Sequence, residues 1–307
     1  MIRAGVILNP KSRRNQNGEL RSSRPQEGVV VEAPQSHDEL DATLARFAAC
    51  GVDLLVVDGG DGTVRDVLTQ ASAHFTGGLP TMAVLPSGKT NALALDLGAP
   101  RGWPLEAALE SARKGRTRTR RPLEVIREGE ATPLARGFIF GAGAFVRATD
   151  LAQGTHKMGA FEGLAVAMTF GAAAFQTFFG GQRSGWRGGE RMRVGFAGEP
   201  AHAENVFLIL ASSLERLPLD ARPFGPPRTD GLIRSLTVAA PPKRLLTALP
   251  LILSGADAPW LEAAGYRRRA LEHFEVGLET SFVLDGEVYD GGQLDVRAGA
   301  PVEFVVP

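Results

Sequence analysis

Val52-Asp53-Leu54-Leu55-Val56-Val57-Asp58-Gly59-Gly60-Asp61-Gly62-Thr63 is the stretch on which the fold of this chain turns. Its first half is an apolar run rich in Val and Leu, the pattern of a strand buried on both faces. Glycines then interrupt it, and Val64, Val67 and Leu68 resume at the spacing of a helix. The same step occurs on either side. Residues 2–8 form a short apolar strand that ends at Asn9-Pro10, and residues 29–32 form another. Residues 38–50 carry helical periodicity through Leu40, Leu44 and Phe47 until Gly51 closes them. Residues 80–85 are a further strand, leading through a loop at 86–91 into another helix. Strands alternating with helices predict a parallel sheet covered on both faces. Ligands in such sheets bind at the carboxyl ends of the strands, where the loops after Leu8, Val57 and Leu85 all emerge.

Beyond Arg121 the rhythm changes. Strands are expected at 123–126, 137–140, 192–196, 206–211, 233–239, 274–278 and 281–284, with helical segments only near 161–179 and 243–253. This pattern predicts a second, β-rich and sandwich-like domain of antiparallel strands. A length of 307 residues suits two domains of about 150 residues each. Residues 13–25 are polar and turn-rich and read as a loop. Arg116, Arg118, Arg120 and Arg121 near the junction read as a solvated face.

Thirty-four basic residues balance 34 acidic ones, so no global field favours nucleic acid or an anionic membrane, and any electrostatic partner must be read from local patches. The lysines are Lys11, Lys89, Lys114, Lys157 and Lys243. One cysteine, Cys50, cannot form an internal disulfide, which fits a reducing cytoplasm, and its apolar setting reads as a small buried hydrophobe. His37, His74, His156, His202 and His273 lack ligand spacing, so no zinc site is expected. The start of the chain lacks a secretory pattern. Residues 163–182 are uncharged but too rich in glycine and polar groups for a membrane span.

Gly59-Gly60-Asp61-Gly62-Thr63 carries the clearest chemistry. Glycines between strand and helix let the backbone approach a polyphosphate without Cβ clashes, and the helix offers its N–H groups and dipole. Asp61 suits Mg²⁺, directly or through water, and Thr63 a phosphate. The second loop, Ser87-Gly88-Lys89-Thr90-Asn91, ends like a P-loop. A Walker motif would need Gly where Ala83 stands, so that motif is excluded. Lys89 remains a candidate point charge for a phosphate.

Asn9-Pro10 with Ser12, then 59–63, then 86–94, continue through Ser212-Ser213, Asp230-Gly231-Leu232 and Asp285-Gly286-Glu287 to a final strand at 301–307. In this order and spacing they resemble the diacylglycerol kinase catalytic-domain family, which takes in bacterial lipid kinases, sphingosine kinases and ceramide kinases. The resemblance implies an α/β N-terminal nucleotide-binding domain related to those of NAD kinases and phosphofructokinases, over residues 1–121 and completed by 291–307. It implies a β-rich lipid domain over 122–290, with ATP in the cleft between. It assigns Asn9, Pro10, Ser12, Gly59, Gly60, Asp61, Gly62, Thr63, Val64, Arg65, Gly88, Lys89, Thr90 and Asn91 to the nucleotide, and Glu32 falls where some members carry a nearby Thr.

By the same resemblance Glu287 matches the proton acceptor for the lipid hydroxyl, with Asp285 beside it and Asp61 a competing catalytic carboxylate. Asp-Gly is also a hairpin signal, so residues alone leave the turn reading open. Asp230, with carbonyls of Pro227 and Leu232, matches a second, structural Mg²⁺ site, although Arg234 stands where many members add another Asp. Arg65 replaces the usual Asn, Asp66 a common Glu, and Lys89 a Thr or Ser. Around Gly143 to Val146 there is no carboxylate of the kind sphingosine kinases use for an amine, which directs the expectation to a neutral membrane lipid, diacylglycerol or ceramide. The expected setting is peripheral, on the inner face of the cell membrane. An apolar stripe from Phe161 to Phe179 reads as core. Lys243 to Leu253 with Trp260 and Tyr266-Arg267-Arg268-Arg269 suits either core or a membrane interface. Two rival readings are an NAD kinase, which shares the glycine loop, and a catalytically degraded lipid-binding protein, suggested by Arg65, Lys89 and Arg234.

Overall fold

A computed structural model describes residues 2–12, 27–154, 188–196, 200–226 and 232–307. The chain divides into two compact units, Met1–Pro122 with Ala300–Pro307, and Leu123–Gly299.

The first unit is built on a six-stranded sheet. Strands β1 (Ala4–Leu8), β2 (Val29–Glu32), β3 (Leu54–Gly59), β4 (Thr81–Pro86), β5 (Thr117–Arg120) and β15 (Val302–Val305) lie in the order β2-β1-β3-β4-β15-β5. All neighbours run parallel except β15 with β5. Every residue of β3 is buried, as its unbroken apolar run requires. Helices α1 (His37–Ala49), α2 (Asp61–His74), α3 (Ala92–Leu97) and α4 (Leu105–Arg113) complete it. Ser36 caps α1 by accepting the Glu39 amide at 3.2 Å. Gly5 in β1 makes room for Phe47 of α1: a Cβ there would fall 2.5 Å from the ring. On one sheet face Val6, Val56 and Leu85 pack with Trp103, Leu105 and Leu109.

The second unit is one hydrogen-bonded network of antiparallel strands. It contains β6 (Leu123–Arg127), β7 (Ala135–Gly137), β8 (Ile139–Gly143), β9 (Glu190–Phe196), β10 (His202–Ser212), β11 (Ile233–Ala239), β12 (Tyr266–Leu271), β13 (His273–Leu284) and β14 (Glu287–Ala298). β8 and β9 pair with different halves of both β10 and β13, each of which has a register shift between the two halves. Phe140, Phe274 and Phe282 fill its core, with Phe140 and Phe282 stacked at 5.3 Å. Helices α5 (Ala144–Gly154), α6 (Leu245–Ser254) and α7 (Pro259–Ala263) and a short 3₁₀ turn at Pro218–Asp220 lie along it.

Several expectations shift. The chain returns to the first unit at Ala300 rather than 291, because β14 stays paired with β6 and β13 as far as Ala298. Cys50 is exposed, since α1 ends there and its amide closes back on Arg46. The arginines at 116–121 are not simply solvated: Arg120 is buried against Asp96 at 2.6 Å within β5. Arg267 and Arg268 lie in β12, where Arg267 pairs with Glu204 and Arg268 donates to the carbonyls of Pro223 and Ala256. The loop at 13–25, the apolar stripe at 161–179 and the uncharged run at 163–182 lie outside the described residues.

Candidate active site

In the first unit three loops meet at the carboxyl edge of the sheet. Asn9, just past β1, donates from Nδ2 to Thr63 Oγ1 at 2.8 Å, and its Oδ1 accepts the Lys11 amide at 2.9 Å. Its own amide reaches Asp58 O at 2.9 Å. A bare loop would leave these groups to water; here the side chain of Asn9 ties the end of β1 to the start of α2. Thr63 folds back over Gly59, where a Cβ would fall 2.5 Å from the Thr63 side chain. Helix α2 starts at Gly60 without a side-chain cap, leaving its first turn accessible to a ligand's oxygens.

The second loop lies against the first. A Cβ on Gly88 would sit 2.5 Å from Gly60 Cα, so the two glycines bring backbone to backbone. Asn91 holds a left-handed conformation, φ 55°, and its side chain both accepts the Gly88 amide and donates to the Gly88 carbonyl, each at 2.9 Å. That leaves α3 uncapped by Asn91. Asp61 takes the task instead: its two oxygens accept the amides of Ala92 at 3.0 Å and Leu93 at 3.2 Å. Burial raises the Asp61 carboxyl above its ordinary 3.8, against the lowering effect of these amides. Asp58, which sequence reasoning passed over, is buried at the end of β3 and accepts Ser87 Oγ at 2.7 Å. Its only sequence signal was a carboxylate at the end of an otherwise apolar strand.

Around this edge Pro10 follows Asn9, Gly62 lies in the first turn of α2 with Val64 buried behind it, and Thr90 sits in the second loop. The Ser12 hydroxyl is buried without a hydrogen-bond partner among the described residues. Lys89 is exposed at the loop tip. Arg65 is buried with its guanidinium on Asp66, Nη2 to Oδ1 2.7 Å, and a Cβ on Gly62 would lie 3.8 Å from that same Nη2. Glu32 closes β2 and pairs with Arg46 at 3.4 Å.

In the second unit Asp285 and Gly286 form the two-residue turn between β13 and β14, with φ of 47° and 83°. Both are positive, as a turn matched to strand twist requires. The Asp285 carboxylate accepts the amides of Phe138 and Ile139, both at 2.9 Å, and its own amide donates to Ile139 O at 3.0 Å. Gly137 permits this clamp, since a Cβ there would fall 2.5 Å from Asp285 Oδ2. Asp285, expected among the catalytic carboxylates, therefore holds the turn. Glu287 follows it, exposed, as the first residue of β14. Ser212 and Ser213 end β10 beside this corner: Ser212 Oγ accepts the Leu214 amide at 3.1 Å and the Ser213 amide reaches Phe138 O at 3.4 Å.

Asp230 and Pro227 lie outside the described residues, so of the second metal site only Leu232 is placed. Two positions on, Arg234 is buried, donates to the Leu214 carbonyl and lies 5.3 Å from the Phe224 ring centroid. Among the described residues no group of three or more His, Cys, Asp or Glu could hold a metal ion. A nucleotide-borne Mg²⁺ needs fewer protein ligands, because phosphates and water supply the remainder. Asp61 is the carboxylate of this edge that could join such an ion, and it already accepts the amides of Ala92 and Leu93.

Residues 3–125 match the diacylglycerol kinase catalytic domain. Over 118 residues the chain is 32% identical to the "Probable lipid kinase YegS-like" of Enterobacter sp. (strain 638), covering 36% of this chain and 38% of that protein. The match thus spans little more than a third of that relative's length. The fold matches at full length. A crystal structure described as a diacylglycerol kinase from Bacillus anthracis str. Sterne aligns with a TM-score of 0.65 at 15% identity, covering 99% of this chain and 97% of that one. A second structure from the same organism, whose description assigns that activity provisionally, aligns at 0.69 and 16% identity with the same coverage. The family match covers residues 3–125, and the whole chain shares the fold of these Bacillus proteins.

Proposed function

We propose that this protein is a lipid kinase that transfers the γ-phosphate of ATP to a hydroxyl of a neutral membrane lipid, diacylglycerol or ceramide. The observation that carries the reading is the meeting of Gly60 and Gly88 backbone to backbone, with Asn9 pinning Thr63 beside them. Two side-chain-free loops at a helix start form a cradle for a polyphosphate, and the family match of the same residues supports ATP as its occupant.

In this mechanism the loop amides and Thr63 bind the phosphate oxygens, and Arg65 adds positive charge beside Gly62. Asp61 would hold the Mg²⁺ carried with ATP, which would supply positive charge against the phosphates. Glu287 accepts the proton of the lipid hydroxyl. Phosphoryl transfer has a loose transition state in which that proton leaves late, so an ordinary carboxylate suffices and its placement dominates. The clamp of Asp285 on Phe138 and Ile139 fixes the turn just before Glu287, which supports that role.

The absence of a carboxylate for an amine at Gly143 to Val146 supports a neutral lipid headgroup. Incubation with γ-labelled ATP and a panel of diacylglycerol, ceramide, sphingosine and NAD tests the reading. Label in diacylglycerol or ceramide supports it; label in NAD alone, or in nothing while ATP still binds, contradicts it.

A further inference from the structure

Helix α6 reads Leu245-Leu246-Thr247-Ala248-Leu249-Pro250-Leu251-Ile252-Leu253-Ser254 and carries no charge. A helix apolar on all sides belongs in a core or in lipid. Here Ala248 and Ile252 are buried, as the inner face. The two ends of the helix are held through backbone carbonyls: Arg222 N donates to Leu253 O at 2.8 Å, and Tyr266 Oη to the carbonyl of Lys243, just before the helix, at 2.8 Å. The opposite side is open. Leu246 is 64% exposed, Pro250 is exposed, and Leu249 and Leu253 are half-buried beside them. These four stand at i, i+3, i+4 and i+7, one continuous apolar stripe facing outward.

At one end the stripe meets a basic and aromatic edge. Lys243 and Arg244 are exposed, and the Arg244 guanidinium lies 5.6 Å from the Trp260 ring centroid. Asp257 and Glu262 are exposed on the segments after the helix, so negative charge is kept off the stripe itself. An uncharged apolar stripe bounded by cations and an indole matches the depth profile of a bilayer with anionic headgroups, in which rings and cations favour the headgroup level. A protein partner would need no such graded order.

We propose that α6, with Lys243, Arg244 and Trp260, docks this protein on the surface of an anionic lipid bilayer. The choice of a bilayer over another partner rests on the lipid-kinase reading. The apolar stripe enters the acyl boundary while the two cations and the indole remain among the headgroups.

The test is co-sedimentation of the full chain with phosphatidylcholine vesicles, with and without phosphatidylglycerol, in the absence of nucleotide and substrate lipid. The wild type is expected to sediment with the anionic vesicles and its tryptophan fluorescence to shift to the blue, a shift that Trp260→Phe removes. The double change Leu246→Glu and Leu249→Glu should weaken binding roughly tenfold or more, the loss of one buried leucine or more. Lys243→Glu should weaken binding to anionic vesicles roughly fivefold and leave neutral vesicles unaffected. Leu246→Ser, at so exposed a position, provides the same comparison if the double variant does not fold. Binding unchanged by Leu246→Ser and by the double variant overturns the proposal, as does a wild type that ignores vesicles. A solution dimer split by Leu246→Ser would assign the stripe to a second copy and overturn it too. Phosphate transfer to lipid dispersed in detergent micelles, measured in parallel, separates the outcomes: transfer without vesicle binding sinks the docking alone, and vesicle binding without transfer sinks the kinase reading alone.

Discussion

The carboxylate of Asp61, the first residue of α2, accepts the amide of Ala92, the first residue of α3, at 3.0 Å. A residue read from sequence as a metal ligand is thus also the cap of a helix 31 positions away. Asp61→Asn keeps one acceptor oxygen, loses the other, and should cost about 1 kcal/mol, the usual worth of a cap. The pH dependence carries a further sign. Burial raises the folded-state pKa of Asp61, so the folded chain holds that proton more tightly than the unfolded chain. Stability of the wild type relative to Asp61→Asn should therefore rise as pH falls through the raised pKa towards 3.8, and the penalty is full above that window. Denaturant melts of the two proteins across this range check it; a wild-type advantage that shrinks as pH falls would contradict the burial argument.

Gly88→Ala places a Cβ 2.5 Å from Gly60 Cα, a backbone atom that cannot swing aside. The loops must part, and the phosphate cradle with them. ATP binding by isothermal titration should weaken at least tenfold, while thermal stability changes by roughly 1–3 kcal/mol, the usual range for overpacking. Unchanged ATP affinity would show that the close approach of the loops does not matter to the nucleotide.

The Asp285 clamp predicts a coupling rather than a single loss. Asp285→Ala strands the Phe138 and Ile139 amides, at about 1–3 kcal/mol for each one left buried and unsatisfied. Gly137→Ala is destabilising because its Cβ meets Asp285 Oδ2. With the carboxylate already removed, that clash is relieved, so the double variant should be more stable than the sum of the two losses predicts, leaving only the Leu284 contact. A double-mutant cycle measures this, and strict additivity would count against the clamp.

Arg120 and Asp96 form an ion pair buried on both sides, 6% and 0% exposed, at 2.6 Å. Arg120→Leu removes the cation beside a buried carboxylate and should cost about 3–5 kcal/mol, whereas adding Asp96→Leu should recover much of it. Urea unfolding midpoints decide the matter; a loss no smaller in the double variant would argue that packing, not charge, fixes the site.

The sequence made the first unit legible because buried parallel strands announce themselves as apolar runs and glycine loops mark their ends. β1, β3, β4 and the convergence of Asn9, Gly60 and Gly88 follow from that alone. What stayed hidden depends on partners distant in the chain. Nothing near Asp285 says that it will grip Phe138 and Ile139, 147 and 146 residues away. Arg267 and Arg268 look like a headgroup-binding run until β12 pairs with β11 and brings Glu204 and the Pro223 carbonyl to them. β5 was missed for the same reason: four arginines obscure a strand whose pairing is supplied by the far C-terminus.

Glu287 offers the most direct measurement of the kinase account. Formation of phosphorylated lipid from labelled ATP should fall about a hundredfold or more in Glu287→Ala, within the range for loss of a general base, with ATP affinity unchanged. Transfer retained at the wild-type rate in that variant, or its loss together with ATP binding, would contradict the role given to Glu287.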